Sequence, residues 1–177
     1  MNITVYCGSK TGNDPEFSRV AIELGEWIGK DGHSLVYGGS DVGLMGIVAN
    51  TAMENGARAI GVFPNSLAGR ENPHPSLSEM IIVDSIDDRK EKMMELGDVF
   101  IALPGGPGTL EEISQVISLA RVEQLSGKCI VFNVDGYYDC LLSLFDDMES
   151  QEFISEYERN KVKFVNTMDE LKRFLSE

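Results

Sequence analysis

Short apolar runs alternate along the chain with longer stretches in which apolar residues recur every three or four positions. The apolar runs predict strands at 2–7, 34–38, 58–63, 79–83, 98–103, 128–133 and 162–165. The longer stretches predict helices at about 15–30, 44–56, 86–97, 109–125, 137–149 and 168–176. Runs such as 99–103 and 129–132 are apolar throughout, which indicates strands that are covered on both faces, as in a parallel sheet.

This order of elements predicts an α/β fold: a Rossmann-like, doubly wound sheet of about seven mostly parallel strands with helices on both faces. A hydroxyl residue three positions before an acid is typical of helix starts, and Ser85, Thr109 and Thr167 have that spacing. No repeat or linker interrupts the pattern, so residues 1–177 are predicted to form a single domain. The longest irregular segment, 64–78, is compatible with a lid over a site and equally with a plain surface connection.

Charge and composition limit the kinds of partner. The formal net charge of −14 at pH 7 argues against a nucleic-acid partner, because polyanions bind basic faces, but a small phosphorylated ligand remains compatible. Cys7, Cys129 and Cys140 lack the spacing of a metal site or a disulfide framework, so we expect buried thiols in a reducing cytoplasm. The sequence shows no signal-peptide pattern and no apolar run of membrane-spanning length, so we expect no membrane association.

Three glycine-bearing turns follow predicted strands, one at Gly8, one across 38–46 and one across 104–109. In a doubly wound sheet such turns lie at the carboxyl edge, where ligands bind. The third turn leads into a helix, whose first amides and partial positive charge suit an anion. None of the three matches the P-loop or the dinucleotide-binding fingerprint. The sequence therefore predicts an anion cradle, with the phosphate of a nucleotide or sugar as its candidate ligand.

Two charged side chains near the cradle have both a chemical and a structural interpretation. Glu112 is either a carboxylate for chemistry on the ligand or a capping residue three positions after Thr109. Arg89 is either a cation that holds phosphate or ribose oxygens, or part of a solvated helix face with ion pairs such as Asp88–Lys92. Spacing alone does not decide between these interpretations.

The motif Pro104-Gly105-Gly106-x-Gly108-Thr109-x-x-Glu112, preceded by Arg89-Lys90, resembles the signature of the LONELY GUY (LOG) family. These are cytokinin riboside 5′-monophosphate phosphoribohydrolases, formerly labelled lysine decarboxylases. The similarity also includes 5–9, 35–39, 43–46, 61–64, 133 and 136–138. The resemblance implies hydrolysis of the N-glycosidic bond of an adenine or cytokinin-type riboside 5′-monophosphate. It also implies that no metal or other cofactor is needed, and a homodimer with active sites near the subunit interface.

Transferred by position, the resemblance implies that Arg89 and Glu112 are the catalytic pair. It implies that the substrate and its phosphate are bound by Gly8, Ser9, Gly38, Gly39, Met45, Lys90, Gly105, Gly106, Gly108 and Thr109. The chain departs from the family pattern at Ser40, at Asp87 and across 118–123, so the preferred base stays open. A non-catalytic nucleotide or cofactor carrier of the same fold is the alternative function. Pyridoxal-dependent decarboxylation is disfavoured, because the cradle contains no lysine.

Overall fold

In the computed structural model, which describes residues 1–67, 69 and 72–177, seven parallel strands form one sheet. The strands are β1 (Asn2–Tyr6), β2 (Ser34–Tyr37), β3 (Arg58–Pro64), β4 (Glu79–Val83), β5 (Val99–Ala102), β6 (Lys128–Phe132) and β7 (Val162–Val165). Their order across the sheet is β4-β3-β2-β1-β5-β6-β7, and every neighbouring pair is parallel. All seven predicted strands are present. The inner strands β2, β5 and β6 are mostly buried on both faces, which is why their sequences are mostly apolar.

Helices cover both faces of this sheet. They are α1 (Pro15–Lys30), α2 (Gly43–Glu54), α3 (Ile86–Leu96), α4 (Pro107–Arg121), α5 (Asp139–Ser150), α6 (Glu156–Arg159) and α7 (Met168–Ser176). One buried cluster packs α1, α2 and α7 against one face, through side chains such as Leu24, Val48 and Leu171. A second cluster packs α3, α4 and α5 against the other face, through side chains such as Met93 and Ile113. The doubly wound α/β class is therefore confirmed.

Two structural interpretations drawn from residue spacing are wrong: the capping role of Glu112 and the Asp88–Lys92 ion pair. The cap of α4 is Gly106 rather than Thr109, so Glu112 lies in the second turn and does not cap the helix. The spacing misled because a Thr three residues before a Glu also occurs inside helices. Asp88 bonds back to Ser85 in a capping box, and Lys92 pairs with Glu95, so the expected Asp88–Lys92 pair is absent from the described residues.

The crossover order places a ligand crevice beside β1. The chain winds from β1 to β4 on one side and from β5 to β7 on the other, so β1 and β5 meet where the winding direction reverses. Ligands of doubly wound sheets bind outside the carboxyl ends of the strands at this point. The loop after β1 and the turn after β5 meet there directly, since the Gly8 amide donates to the Pro104 carbonyl at 3.1 Å.

Two further expectations concern the burial of the three cysteines and the long irregular segment 64–78. Cys7 and Cys129 are buried as expected, whereas Cys140 is exposed at the start of α5, so that part of the expectation is wrong. The irregular segment 64–78 includes residues 68, 70 and 71, which lie outside the described residues, and the question of a lid is left open there. Among the helices described, none combines the length and the apolar character needed to cross a membrane.

Candidate active site

A cavity of about 230 Å³ opens between the carboxyl ends of β1, β2 and β5, at the crevice described above. It brings together nine of the residues singled out from the sequence: Gly8, Ser9, Gly38, Met45, Arg89, Gly106, Gly108, Thr109 and Glu112. They come from four separate stretches of chain, which the fold joins at the sheet edge. The cavity therefore combines a glycine turn, a cation and a carboxylate within one small volume.

Arg89 and Glu112 form an ion pair inside this cavity. Arg89 Nη2 donates to Glu112 Oε1 at 2.9 Å, and the two side chains are only 12% and 9% exposed. Gly38 adjoins the guanidinium, since a Cβ there would lie in van der Waals contact with Arg89 Nη1 at 3.5 Å. Arg89 Nε is buried and finds no hydrogen-bond partner among the described residues. A buried guanidinium with an unused donor can bind an anionic or hydroxylated ligand in addition to Glu112.

Burial sets the protonation of Glu112. Desolvation, with a smaller contribution from the charge of the nearby Glu111, raises the pKa of this carboxyl to about 7, despite the opposing charge of Arg89. A carboxyl that titrates near neutrality in a cleft is a candidate for acid–base or electrostatic catalysis. Burial also raises the pKa of Tyr6 and that of Cys7, so both groups keep their protons at the wall of the cavity.

The glycine turn after β5 is tightly packed at Gly105. A Cβ on Gly105 would lie 2.1 Å from Thr109 Oγ1 and 2.9 Å from the Gly8 nitrogen, which excludes any side chain there. No side chain caps the amides of the first turn of α4. Uncapped amides and the helix dipole suit an anion, so the start of α4 is the candidate anion cradle.

The glycine turn after β2 contacts the loop after β1. The Leu44 amide donates to the Gly8 carbonyl at 3.1 Å, and Gly43 adopts a φ of +60°. A Cβ on Gly43 would lie 2.3 Å from the carbonyl carbon of Ser9. Backbone therefore contacts backbone between the turns that follow β1 and β2, and only glycine at 43 permits this approach.

Three of the predicted site residues do not line this cavity. Gly105 packs against Thr109 and Gly8 at the start of the turn, as described above. Gly39 has a φ of +77° and packs towards Gly61 and Met80 in the sheet. Lys90 is buried next to the site and bonds to Asp87 at 2.8 Å and to Glu111 at 2.7 Å, which raises the pKa of its ammonium group.

Sequence reasoning missed several residues that line the cavity, namely Val5, Tyr6, Cys7, Leu67, Met93 and Pro107. One signal was available for Met93, which lies one helical turn after Arg89 and therefore on the same face of α3. The apolar pattern assigns Met93 to the core. Its side chain both packs in the core and lines the cavity. Among the described residues, no group of three or more His, Cys, Asp or Glu side chains is arranged to hold a metal.

Comparison with known proteins finds a matching family model and relatives that align with nearly the whole chain. A family model described as "Possible lysine decarboxylase" matches residues 45–175. A probable cytokinin riboside 5′-monophosphate phosphoribohydrolase, LOG4 of Oryza sativa subsp. japonica, is 40% identical over 175 residues, which cover 99% of this chain and 76% of the relative. The cytokinin riboside 5′-monophosphate phosphoribohydrolase LOG of the same organism is 41% identical over 169 residues, which cover 96% and 70%.

Solved structures show the same fold at lower sequence similarity. The molybdenum cofactor binding protein from Rippkaea orientalis is similar with a TM-score of 0.72 over 99% of this chain and 94% of that protein, at 22% identity. At that identity the likeness concerns the fold alone. The relatives at 40% and 41% identity align over nearly the whole chain, and the matched family model spans most of it. The chain therefore belongs to the LOG family, the group whose model carries the decarboxylase description.

Proposed function

We propose that this protein hydrolyses the N-glycosidic bond of a purine riboside 5′-monophosphate, with adenine or a cytokinin-type base, to the free base and ribose 5-phosphate. The observation that carries the proposal is the buried Arg89–Glu112 pair in the same cavity as the anion cradle. Relatives named for this activity align with nearly the whole chain. The cradle suits the 5′-phosphate, and the pair suits the bond that is cleaved.

The proposed substrate lies across the crevice with its phosphate on the amides of the first turn of α4. Gly8 and Ser9 border the same end of the cavity, while Gly38 and Met45 border the end formed after β2. With the phosphate fixed at the cradle, the ribose lies over Glu112 and the base extends towards the β2 side. Binding energy from the phosphate then orients a sugar that is remote from it.

Cleavage of the bond between C1′ and the base builds positive charge on the ribose ring, as in glycoside hydrolysis. The Glu112 carboxylate stabilises that charge and orients the attacking water. The electron pair of the broken bond leaves with the base nitrogen, the water oxygen bonds to C1′, and one water proton is transferred to the base. Arg89 holds the carboxylate in place and, through its unused Nε donor, anchors the nucleotide.

The first experiment incubates the pure protein with AMP and, separately, with isopentenyladenosine monophosphate, and measures free base and ribose 5-phosphate. We expect Glu112→Gln to keep the fold and nucleotide binding while turnover falls about 10²- to 10⁴-fold, the usual contribution of a positioned acid–base group. Glu111→Gln is the matched control, since its side chain is 60% exposed, and it keeps its activity at pH 8. Full activity of Glu112→Gln contradicts the assignment.

The same experiment separates the two rival functions. Saturable nucleotide binding without base release by the wild-type protein identifies a carrier. Decarboxylation needs a lysine that forms a Schiff base with pyridoxal phosphate. Lys90, which lies next to the site, is bonded to two carboxylates that keep it protonated and therefore unsuited to that role.

We also propose that the protein is a homodimer in the cytoplasm. The outer face of α4 carries Leu110, Ser114 and Ser118 at intervals of four residues, and Val122 at the C-cap continues the row. All four residues are exposed. Leu110 and Val122 are 43% and 46% exposed, while the two serines between them allow close helix packing. A second copy on this face would lie against the helix whose inner side carries Glu112. Free thiols at all three cysteines are in keeping with a reducing compartment.

A further inference from the structure

Two adjacent tyrosines bond to the segment that enters the anion cradle. Tyr137 Oη donates to the Gly105 carbonyl at 2.6 Å, and Tyr138 Oη donates to the Leu103 carbonyl at 2.9 Å. Neither tyrosine lines the active-site cavity. Both lie between β6 and α5, far along the chain from the cradle segment that their hydroxyls contact.

These two bonds belong to a set of three. The carbonyl between them, that of Pro104, accepts from the Gly8 amide at 3.1 Å. Three successive carbonyls, from Leu103 to Gly105, therefore each have a donor outside their own segment. A carbonyl oxygen repels a phosphate, whereas an amide N–H attracts it. The first amides of α4 have no acceptor within the helix, and the donors elsewhere hold the preceding carbonyl oxygens in their own bonds rather than against an anion at those amides.

Packing fixes the orientation of Tyr137. Its ring contacts Phe17 edge-to-face at a centroid distance of 5.3 Å, and Tyr138 in the same manner at 4.9 Å. The preceding turn is constrained as well, because the Tyr138 amide donates to Asn133 Oδ1 at 2.6 Å. The hydroxyl of Tyr137 thus reaches Gly105 from a rigid support, although 45% of the residue is exposed.

We propose that Tyr137 is a positioning residue for phosphate recognition: its hydroxyl orients the Gly105 peptide so that the cradle is formed before the ligand arrives. This inference rests on the proposed function. The hydrogen bond from Tyr137 to Gly105 affects only the binding of the phosphate, and the phosphate is remote from the N-glycosidic bond that is cleaved. Its loss weakens ground-state and transition-state binding equally, so KM rises while kcat is retained.

The test compares Tyr137→Phe with the wild-type protein. The variant removes one hydroxyl and keeps the ring that packs on Phe17. We expect the dissociation constant of ribose 5-phosphate, measured by calorimetry, to rise about three- to tenfold, the range for one lost hydrogen bond, and KM for AMP to rise by the same factor. The value of kcat stays within about twofold. Tyr157→Phe is the matched control. Its exposed hydroxyl lies away from the site and donates to Glu123 Oε1 at a distance of 2.9 Å, so we expect neither the dissociation constant nor KM to change.

Binding and turnover separate this inference from the proposed function. If the wild-type protein binds ribose 5-phosphate but releases no base, the proposed function fails and the calorimetric comparison still tests Tyr137. An unchanged dissociation constant in Tyr137→Phe overturns the inference. So does a lowered kcat with unchanged KM, which indicates only a smaller fraction of correctly folded enzyme. Absence of saturable ribose 5-phosphate binding by the wild-type protein overturns it together with the cradle.

Discussion

The pH dependence of turnover tests the environment of Glu112 directly. The mechanism requires the carboxylate form, and burial raises the pKa of this group from 4.5 to about 7. With that pKa, about a tenth of the enzyme is ionised at pH 6 and about nine-tenths at pH 8. We therefore expect kcat/KM for AMP to rise about tenfold across this interval from Glu112 alone. The substrate phosphate loses its second proton near pH 6 and adds only about a twofold rise.

The assay is a kcat/KM profile for AMP between pH 5.5 and 9, with two variants that displace it in opposite directions. Glu111→Gln removes a charge that raises the Glu112 pKa, so the rising limb moves to lower pH. Arg89→Met removes a charge that lowers this pKa, so the limb of the residual activity moves to higher pH. A wild-type profile that changes no more than twofold between pH 6 and 8, or that falls as pH rises, refutes the reasoning.

The same shift has a consequence for stability. The folded protein binds the Glu112 proton more tightly than the unfolded chain does, because the folded-state pKa is the higher one. The free energy of unfolding contributed by this group is therefore greatest at low pH, and it decreases as pH rises from about 4.5 to about 7. Glu112 thus acts against the stability of the unliganded protein at the pH where the proposed chemistry needs its charge.

Two further predictions concern the cradle and the α4 face. Gly105→Ala places a Cβ 2.1 Å from Thr109 Oγ1, so urea unfolding should show a loss of about 1–3 kcal/mol, whereas Gly108→Ala, with no atom within 4 Å, should change stability by less than about 0.5 kcal/mol. Light scattering should give twice the 19.5 kDa chain mass for the wild-type protein, and the single-chain mass for Leu110→Glu. Leu144→Glu, at a leucine 48% exposed on α5, should leave the mass unchanged, and a monomeric wild-type protein would refute the dimer.

Periodicity predicted most of the fold because burial on both faces leaves a direct pattern in the sequence. The strand at 162–165 is found with those bounds, and α1 with the bounds 15–30. The predicted helix 137–149 begins instead at Asp139, after a short turn in which Asp135 and Gly136 have φ values of 47° and 75°. Such a turn has no periodic signature. The two tyrosines that follow it, Tyr137 and Tyr138, resemble helical residues in the hydrophobic pattern.

The sequence predicted individual residues of the candidate site, but not the contacts between their side chains and backbone groups. Glycines after strands mark the cradle, but the pairing of Arg89 with Glu112 joins two helices and has no signature in spacing. The apolar pattern that assigns Met93 to the core cannot show that the same side chain borders a cavity. The bond from Tyr137 to Gly105 is to a backbone carbonyl, which every residue type offers, so no pairwise pattern in the sequence reveals it.

The backbone origin of the anion cradle also bears on how such a protein evolves. Every residue type except proline supplies an amide N–H, so drift at side chains such as Met45 and Met93 reshapes the cavity without deleting any amide donor proposed to bind the phosphate. Mutation can then change which molecule is recognised while its phosphate keeps the same place. A lineage built on this scaffold can acquire new ligands in single steps, each starting from an anchor that already works.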